Sequence, residues 1–320
     1  MKRKLLTLVG ILIVVGVVAG TYNNRQLIRD TYIVKRTDTQ PAALAVAGNL
    51  ELTSQAEFTY EASQPEVQTS QAFNQSCGSV TREHSIVLGC YTRQRIFIYD
   101  VNDSRLAGVK EVTAAHELLH AIYERMDPKE KEEVNTLLRN TAASIQDQRF
   151  KDTMAEYKRT EPDQVDNELH SIIGTEVAVI PSALETHYAQ YFKDRAKIVA
   201  YSKQYEGTFT KLGDQIKDYD AQLASLATEK KILETTLAGL QTSLDANRSQ
   251  LQSLRGSGNT AEYNAGVPGY NQQIATYNQS VNELKEIVSS YNDIVQKRNA
   301  LATTQNELVK QLDSNYSLAQ

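Results

Sequence analysis

The last third of the chain carries apolar residues at alternating spacings of three and four. Phe209, Leu212, Ile216, Tyr219, Leu223 and Leu226 begin the stripe, and it runs on through Leu233, Leu237, Leu240, Leu244, Leu251 and Leu254. Only Lys230 and Asn247 interrupt it with polar side chains. A pattern held for about six heptads specifies a long helix that must bury one seam against another helix. Gly256-Ser257-Gly258-Asn259 and Gly266-Val267-Pro268-Gly269 break the pattern, and a second stripe follows through Tyr270, Ile274, Tyr277, Val281, Leu284 and Val288. The two arms, 209–254 and 270–316, are nearly equal in length. Matched arms around a breaker predict an antiparallel coiled-coil hairpin about 70 Å long over 201–320, rather than a parallel self-associating helix.

The opposite end carries a different kind of apolar run. Lys2, Arg3 and Lys4 precede residues 5–20, where Thr7 is the only polar side chain. Residues 1–22 read as a signal anchor, with the basic flank cytoplasmic and the remainder extracytoplasmic. Val17-Val18-Ala19 offers the alternative of a cleaved signal peptide followed by secretion. The anchor is preferred because that site lacks a clean small-x-small pattern. Either way the rest of the chain is exported, and Cys77 and Cys90 then fit one disulfide in an oxidising compartment. The net charge of −5, with 34 Lys and Arg against 39 Asp and Glu, gives no electrostatic reason to expect a nucleic-acid partner.

Between these ends, residues 23–45 are polar and mixed and read as a tether. From Leu50 onward Phe58 and Tyr60 alternate with polar residues in a strand-like manner. Residues 85–91 and 95–101 are short β-rich runs joined by Thr92-Arg93-Gln94, the pattern of a hairpin. The period then becomes helical over Val109–Met126, which stops before Asp127-Pro128. Further helices are expected over Lys129–Ile145 and Gln148–Lys158, after Pro162, and from Ser182. Strands followed by helices predict an α+β domain over 46–200.

Histidine occurs only five times, so its placement is informative. Two of the five fall in His116-Glu117-Leu118-Leu119-His120. On a helix, His116 and His120 lie one turn apart on nearly the same face, and both imidazoles reach one tetrahedral zinc ion. Glu117 is rotated off that pair, where a carboxylate acts as general base toward water rather than as a ligand.

This motif resembles that of the zincin metallopeptidases, and among them the gluzincins, in which a second helix supplies a glutamate ligand. Asn167-Glu168-Leu169-His170-Ser171 is similar to that second motif, and the resemblance covers about residues 109–176. It implies a zincin-like domain of small β-sheet, active-site helix and helical subdomain, with zinc held by His116, His120 and Glu168. Glu176, two turns further along, is the reserve ligand. Four residues after Glu168, where the family carries an acidic residue that orients a histidine, this chain has Ile172. His187 is a candidate donor to a developing oxyanion. In such enzymes the strand before the active-site helix pairs with extended substrate, which points to Arg95, Ile96, Phe97, Ile98 and Tyr99 as an edge strand.

The expectation is a membrane-anchored, exported zinc metallopeptidase acting on peptides or proteins, with its coiled coil available to a protein partner. The alternative is an envelope scaffold or adaptor working through the coiled coil, with a structural or degenerate zinc site.

Overall fold

The computed structural model describes residues 21, 24–78 and 86–316. They divide into two compact units. One comprises the chain up to Thr208 together with residues from Leu308 onward, and the other is Phe209–Glu307.

The first unit is mostly helical. Residues expected to be a tether form α1 (Arg25–Arg36) and the start of α2 (Pro41–Leu50). α1 is held by a buried ion pair, Asp30 with Arg125 at 2.9 Å, which a solvated linker would not have. The region around Phe58 and Tyr60 is not a strand but α3 (Ser54–Ala62). Thr53 caps it by accepting from the Ala56 N–H, and Tyr60 is fully buried. Alternation over a few residues fits either period, and the cap decides for the helix.

The sheet has three strands, β1 (Glu66–Gln68), β2 (Gly89–Thr92) and β3 (Arg95–Tyr99), in the order β1-β3-β2. β1 runs parallel to β3, and β2 runs antiparallel to it. Arg93 and Gln94 make the tight β2–β3 turn, both with positive φ, as two-residue hairpins require. Cys77, at the end of α4 (Ser70–Cys77), is disulfide-bonded to Cys90 in β2.

The remaining helices are α5 (Val109–Arg125), α6 (Pro128–Ser144), α7 (Gln148–Thr160), α8 (Val165–Glu176) and α9 (Ser182–Tyr188). α5 is the hub: Ala114, Ala115, Leu118, Leu119 and Ala121 are all fully buried. The α+β zincin-like domain expected from the sequence is therefore corrected. Strands of three to five residues do not form a layer, and the core is built from helices packed around α5.

The second unit lies within α10 (Arg195–Gly256) and α11 (Thr260–Leu312). Asn247 donates to Gln273, and Arg298 to Asp220. As one partner number rises the other falls, so the two arms are antiparallel. Gly258, with φ of 73°, and the Asn259 cap of α11 make the turn. Gly266-Val-Pro-Gly269, expected as a second break, lies inside α11.

Among the described residues no helix is long and apolar enough to cross a membrane. The expected membrane anchoring, and the extracytoplasmic placement that followed from it, are thus not supported. The segment to which they were assigned, 1–22, lies outside the described residues except for Thr21.

Candidate metal centre

α5 places His116, Glu117 and His120, and α8 brings Glu168 to them. His116 Nε2 lies 3.6 Å from Glu168 Oε2, and His120 Nε2 lies 3.5 Å from Glu168 Oε1. One ligand atom from each of the three residues falls within 4.8 Å of the others. Donors around a tetrahedral zinc, with bonds near 2.0–2.1 Å, sit about 3.3 Å apart, close to the two shorter spacings here. Glu168 is buried and its Oε2 has no hydrogen-bond partner. A buried carboxylate oxygen left unpaired is costly unless a cation meets it. The donor chemistry and this orphaned oxygen both fit a zinc ion.

The ring of His120 is aimed from behind. Asn167 Nδ2 donates to Gln164 at 3.0 Å, which turns the Asn167 carbonyl oxygen toward His120 Nδ1 at 2.9 Å. His120 Nδ1–H donates to that oxygen, so the Nε2 lone pair faces the cluster. Ser171 Oγ sits 3.2 Å from the same nitrogen. These two residues occupy the orienting role for which position 172 offers only isoleucine. Both lie inside the Asn167–Ser171 motif, one beside the glutamate and one a turn later, which is the signal by which they were findable.

Glu117 is buried next to the cluster. Burial pushes its carboxyl up to about 7; Glu168 adds to the rise, while His120 and the Tyr91 backbone N–H oppose it. β2 lies tightly over this side chain. A Cβ built on Gly89 would stand 2.7 Å from Glu117 Oε1 and 2.5 Å from Thr113 Cγ2, so only glycine permits the approach. Burial also raises Glu168, but His120, His116 and the Tyr157 hydroxyl outweigh it and hold its carboxyl below the ordinary value. Tyr157 thus faces the site from α7. Neither Gly89, Tyr91 nor Tyr157 carried any mark in the sequence, because they reach the centre from β2 and α7 rather than from the two helices that bear the donors.

A cleft of about 870 Å³ opens over the centre. Residues 86–91, the three donors, Tyr157 and Asn167 are among those lining it.

Three sets of expected site residues are placed otherwise. Arg95–Tyr99 is the central strand, hydrogen-bonded on both sides, so it has no free edge to offer a substrate; β2 is the strand that lines the cleft. Glu176, the reserve ligand, is 2.9 Å from Arg149 and outside the three-donor group. His187 does not line the cleft. Its Nε2 faces His170 Nε2 at 2.9 Å in a buried pair ringed by Tyr188 and Tyr191. Burial lowers His187 to about 4 and His170 well below its ordinary value, so both are neutral near pH 7. A neutral buried pair turned away from the cleft is core, not an oxyanion donor.

No protein-family model, curated protein or solved structure matches the chain. Fold and site together define a mostly helical unit with a three-donor His, His, Glu cluster at the floor of a cleft.

Proposed function

We propose that this chain is a zinc-dependent hydrolase of peptide bonds. The observation that carries the proposal is the convergence of His116, His120 and Glu168, with the unpartnered Glu168 Oε2 buried among them. Three protein donors at a cleft, rather than four in a closed shell, favour a catalytic over a structural ion. Bound there, zinc supplies Lewis acidity toward a carbonyl oxygen and toward water.

The chain's own groups supply the proton traffic. Glu117 takes a proton from the water that adds to the peptide carbonyl carbon, and returns it to the amine nitrogen as the C–N bond breaks. Gly89 and the Tyr91 N–H hold that carboxylate in place. Asn167 keeps His120 Nε2 directed at the centre. Tyr157, which lines the cleft beside Glu168, stands where its O–H can donate to an oxygen there. A peptidase is favoured over other hydrolases by the resemblance of His116–His120 and Asn167–Ser171 to peptidase motifs.

The test is zinc stoichiometry measured together with peptide hydrolysis. Wild type should bind one equivalent and cleave. Glu117→Gln should keep the metal and lose cleavage, and His120→Ala should lose the metal. One equivalent of zinc with no cleavage of any peptide by wild type would overturn the enzyme and leave the scaffold alternative.

A further inference from the structure

Among the described residues six glutamates line the cleft, Glu117, Glu124, Glu156, Glu161, Glu168 and Glu176, and no lysine or arginine does. In the whole chain the two signs nearly balance, at 34 to 39, so the cleft is a place where they are segregated. Glu117 and Glu168 belong to the chemistry proposed above. Glu156 is matched by Arg159 on its own helix, and Glu176 by Arg149.

Glu124 and Glu161 are exposed and have no cationic partner among the described residues. The Glu124 carboxylate accepts from neutral donors, the Tyr91 hydroxyl and Gln94, while Lys131 Nζ reaches the Glu124 backbone carbonyl at 3.5 Å. The nearby Arg125, which also touches the Tyr91 hydroxyl, is already neutralised by Asp30. Glu161 sits just past the C-terminus of α7, its N–H bonded to the Tyr157 carbonyl at 2.8 Å, and Thr160 beside it also lines the cleft. Lys158 and Arg159 stand in the last turn of α7, with Arg159 paired to Glu156, and the Glu161 carboxylate beyond them makes no ion pair among the described residues. A low-dielectric cleft of one sign focuses its field on what enters. The orphaned Glu168 oxygen at its floor is the independent sign that the cleft is built around a ligand.

We infer that the substrate is a cationic peptide, with a lysine or arginine side chain held by Glu161 at the end of α7 and drawn in by Glu124. The inference rests on the peptidase reading and names its substrate class. The apolar side chains of Ile86, Val87 and Leu88 form another part of the wall, suited to the uncharged portion of the same peptide.

The experiment uses the full-length, zinc-loaded chain. Fluorescent alanine-based octapeptides carrying two lysines or two glutamates are titrated against Glu117→Gln, so that binding is read without turnover. The same peptides are incubated with wild type and scored by mass spectrometry. The lysine peptide should bind about tenfold tighter in low salt, with the difference shrinking in 0.5 M salt, where screening is nearly complete beyond about 4 Å. Adding Glu161→Gln should cut the preference to about a third. Equal binding of the two peptides, binding of neither, or an unchanged preference with Glu161→Gln overturns the inference. Cleavage without charge preference removes this inference and leaves the peptidase. Charge-selective binding without cleavage removes the peptidase and leaves the acidic subsite.

Discussion

The two units bury their side chains in different ways. Up to Thr208 the chain encloses Leu118, Leu119, Ile173 and Tyr188 at 0% exposure. Among the residues of Phe209–Glu307 only Leu237, Leu244 and Ser280 are buried, at 7–8% exposure. Two helices share one seam, and every seam residue keeps a flank toward water. A helix surrounded by others, such as α5, has no open flank. This is why the first unit can hold Glu117, Glu168 and His170 away from solvent and so shift their protonation, whereas the carboxylates of the second are solvated. Chemistry that depends on a dry carboxylate is possible in one unit and not in the other.

The ion pairs put that contrast under the largest strain. Asp30→Ala leaves Arg125 buried and unpaired, and should destabilise the first unit by about 3–5 kcal/mol. Asp220→Ala, which frees the exposed Arg298 of the second unit, should cost under about 1 kcal/mol. Amide hydrogen exchange, resolved by segment, reads the two separately. Equal effects would erase the distinction.

Apolar truncation comes next. Leu119→Ala should cost about 2–5 kcal/mol, because helices on all sides prevent the cavity from collapsing. Leu223→Ala, on a half-buried seam, should cost about 1 kcal/mol. Protection factors within α5 and within 209–256 are the measurement, and a larger loss for Leu223 would show that the seam is better packed than its exposure implies.

The smallest effect is a titration confined to the first unit. The folded value of His187, about 4, lies below its free value of 6.5. As pH falls the unfolded chain therefore takes up the proton first. Stability from this group is complete above about pH 6.5 and drains away between 6.5 and 4, by on the order of 2 kcal/mol at pH 5. Urea unfolding of wild type and His187→Gln at pH 7 and pH 5 should show a shallower loss in the variant. Identical pH dependence would mean that the pair is not buried neutral.

The parts legible in the sequence are those written within one turn or one period. His116 and His120 stand on a single helix face with Glu117 one position round from it, and the heptad stripe marks a long helix wherever it occurs. Asn167 and Ser171 were within reach, because residues at i and i+4 share one helix face, here the one that meets His120 Nδ1. The tether and the edge strand at Arg95–Tyr99 failed for one shared reason: each depends on what a segment meets, Arg125 for Asp30 and a second neighbour, β1, for β3. His187 failed in the same way, since only its packing against His170 reveals that it faces the core. The strand at Phe58–Tyr60 failed differently, since the Thr53 cap that makes this segment a helix is a local signal.

What the chain wrote locally was therefore the donor set on α5, the candidate glutamate on α8 and the two long helices, because helix periodicity relates residues a few positions apart. Tertiary structure decided that the sheet would be minor and that β2 would lie over Glu117. It also left one oxygen of Glu168 buried without a partner. Those outcomes follow from contacts between elements far apart in the chain, where burial rather than spacing sets which polar groups must find a partner.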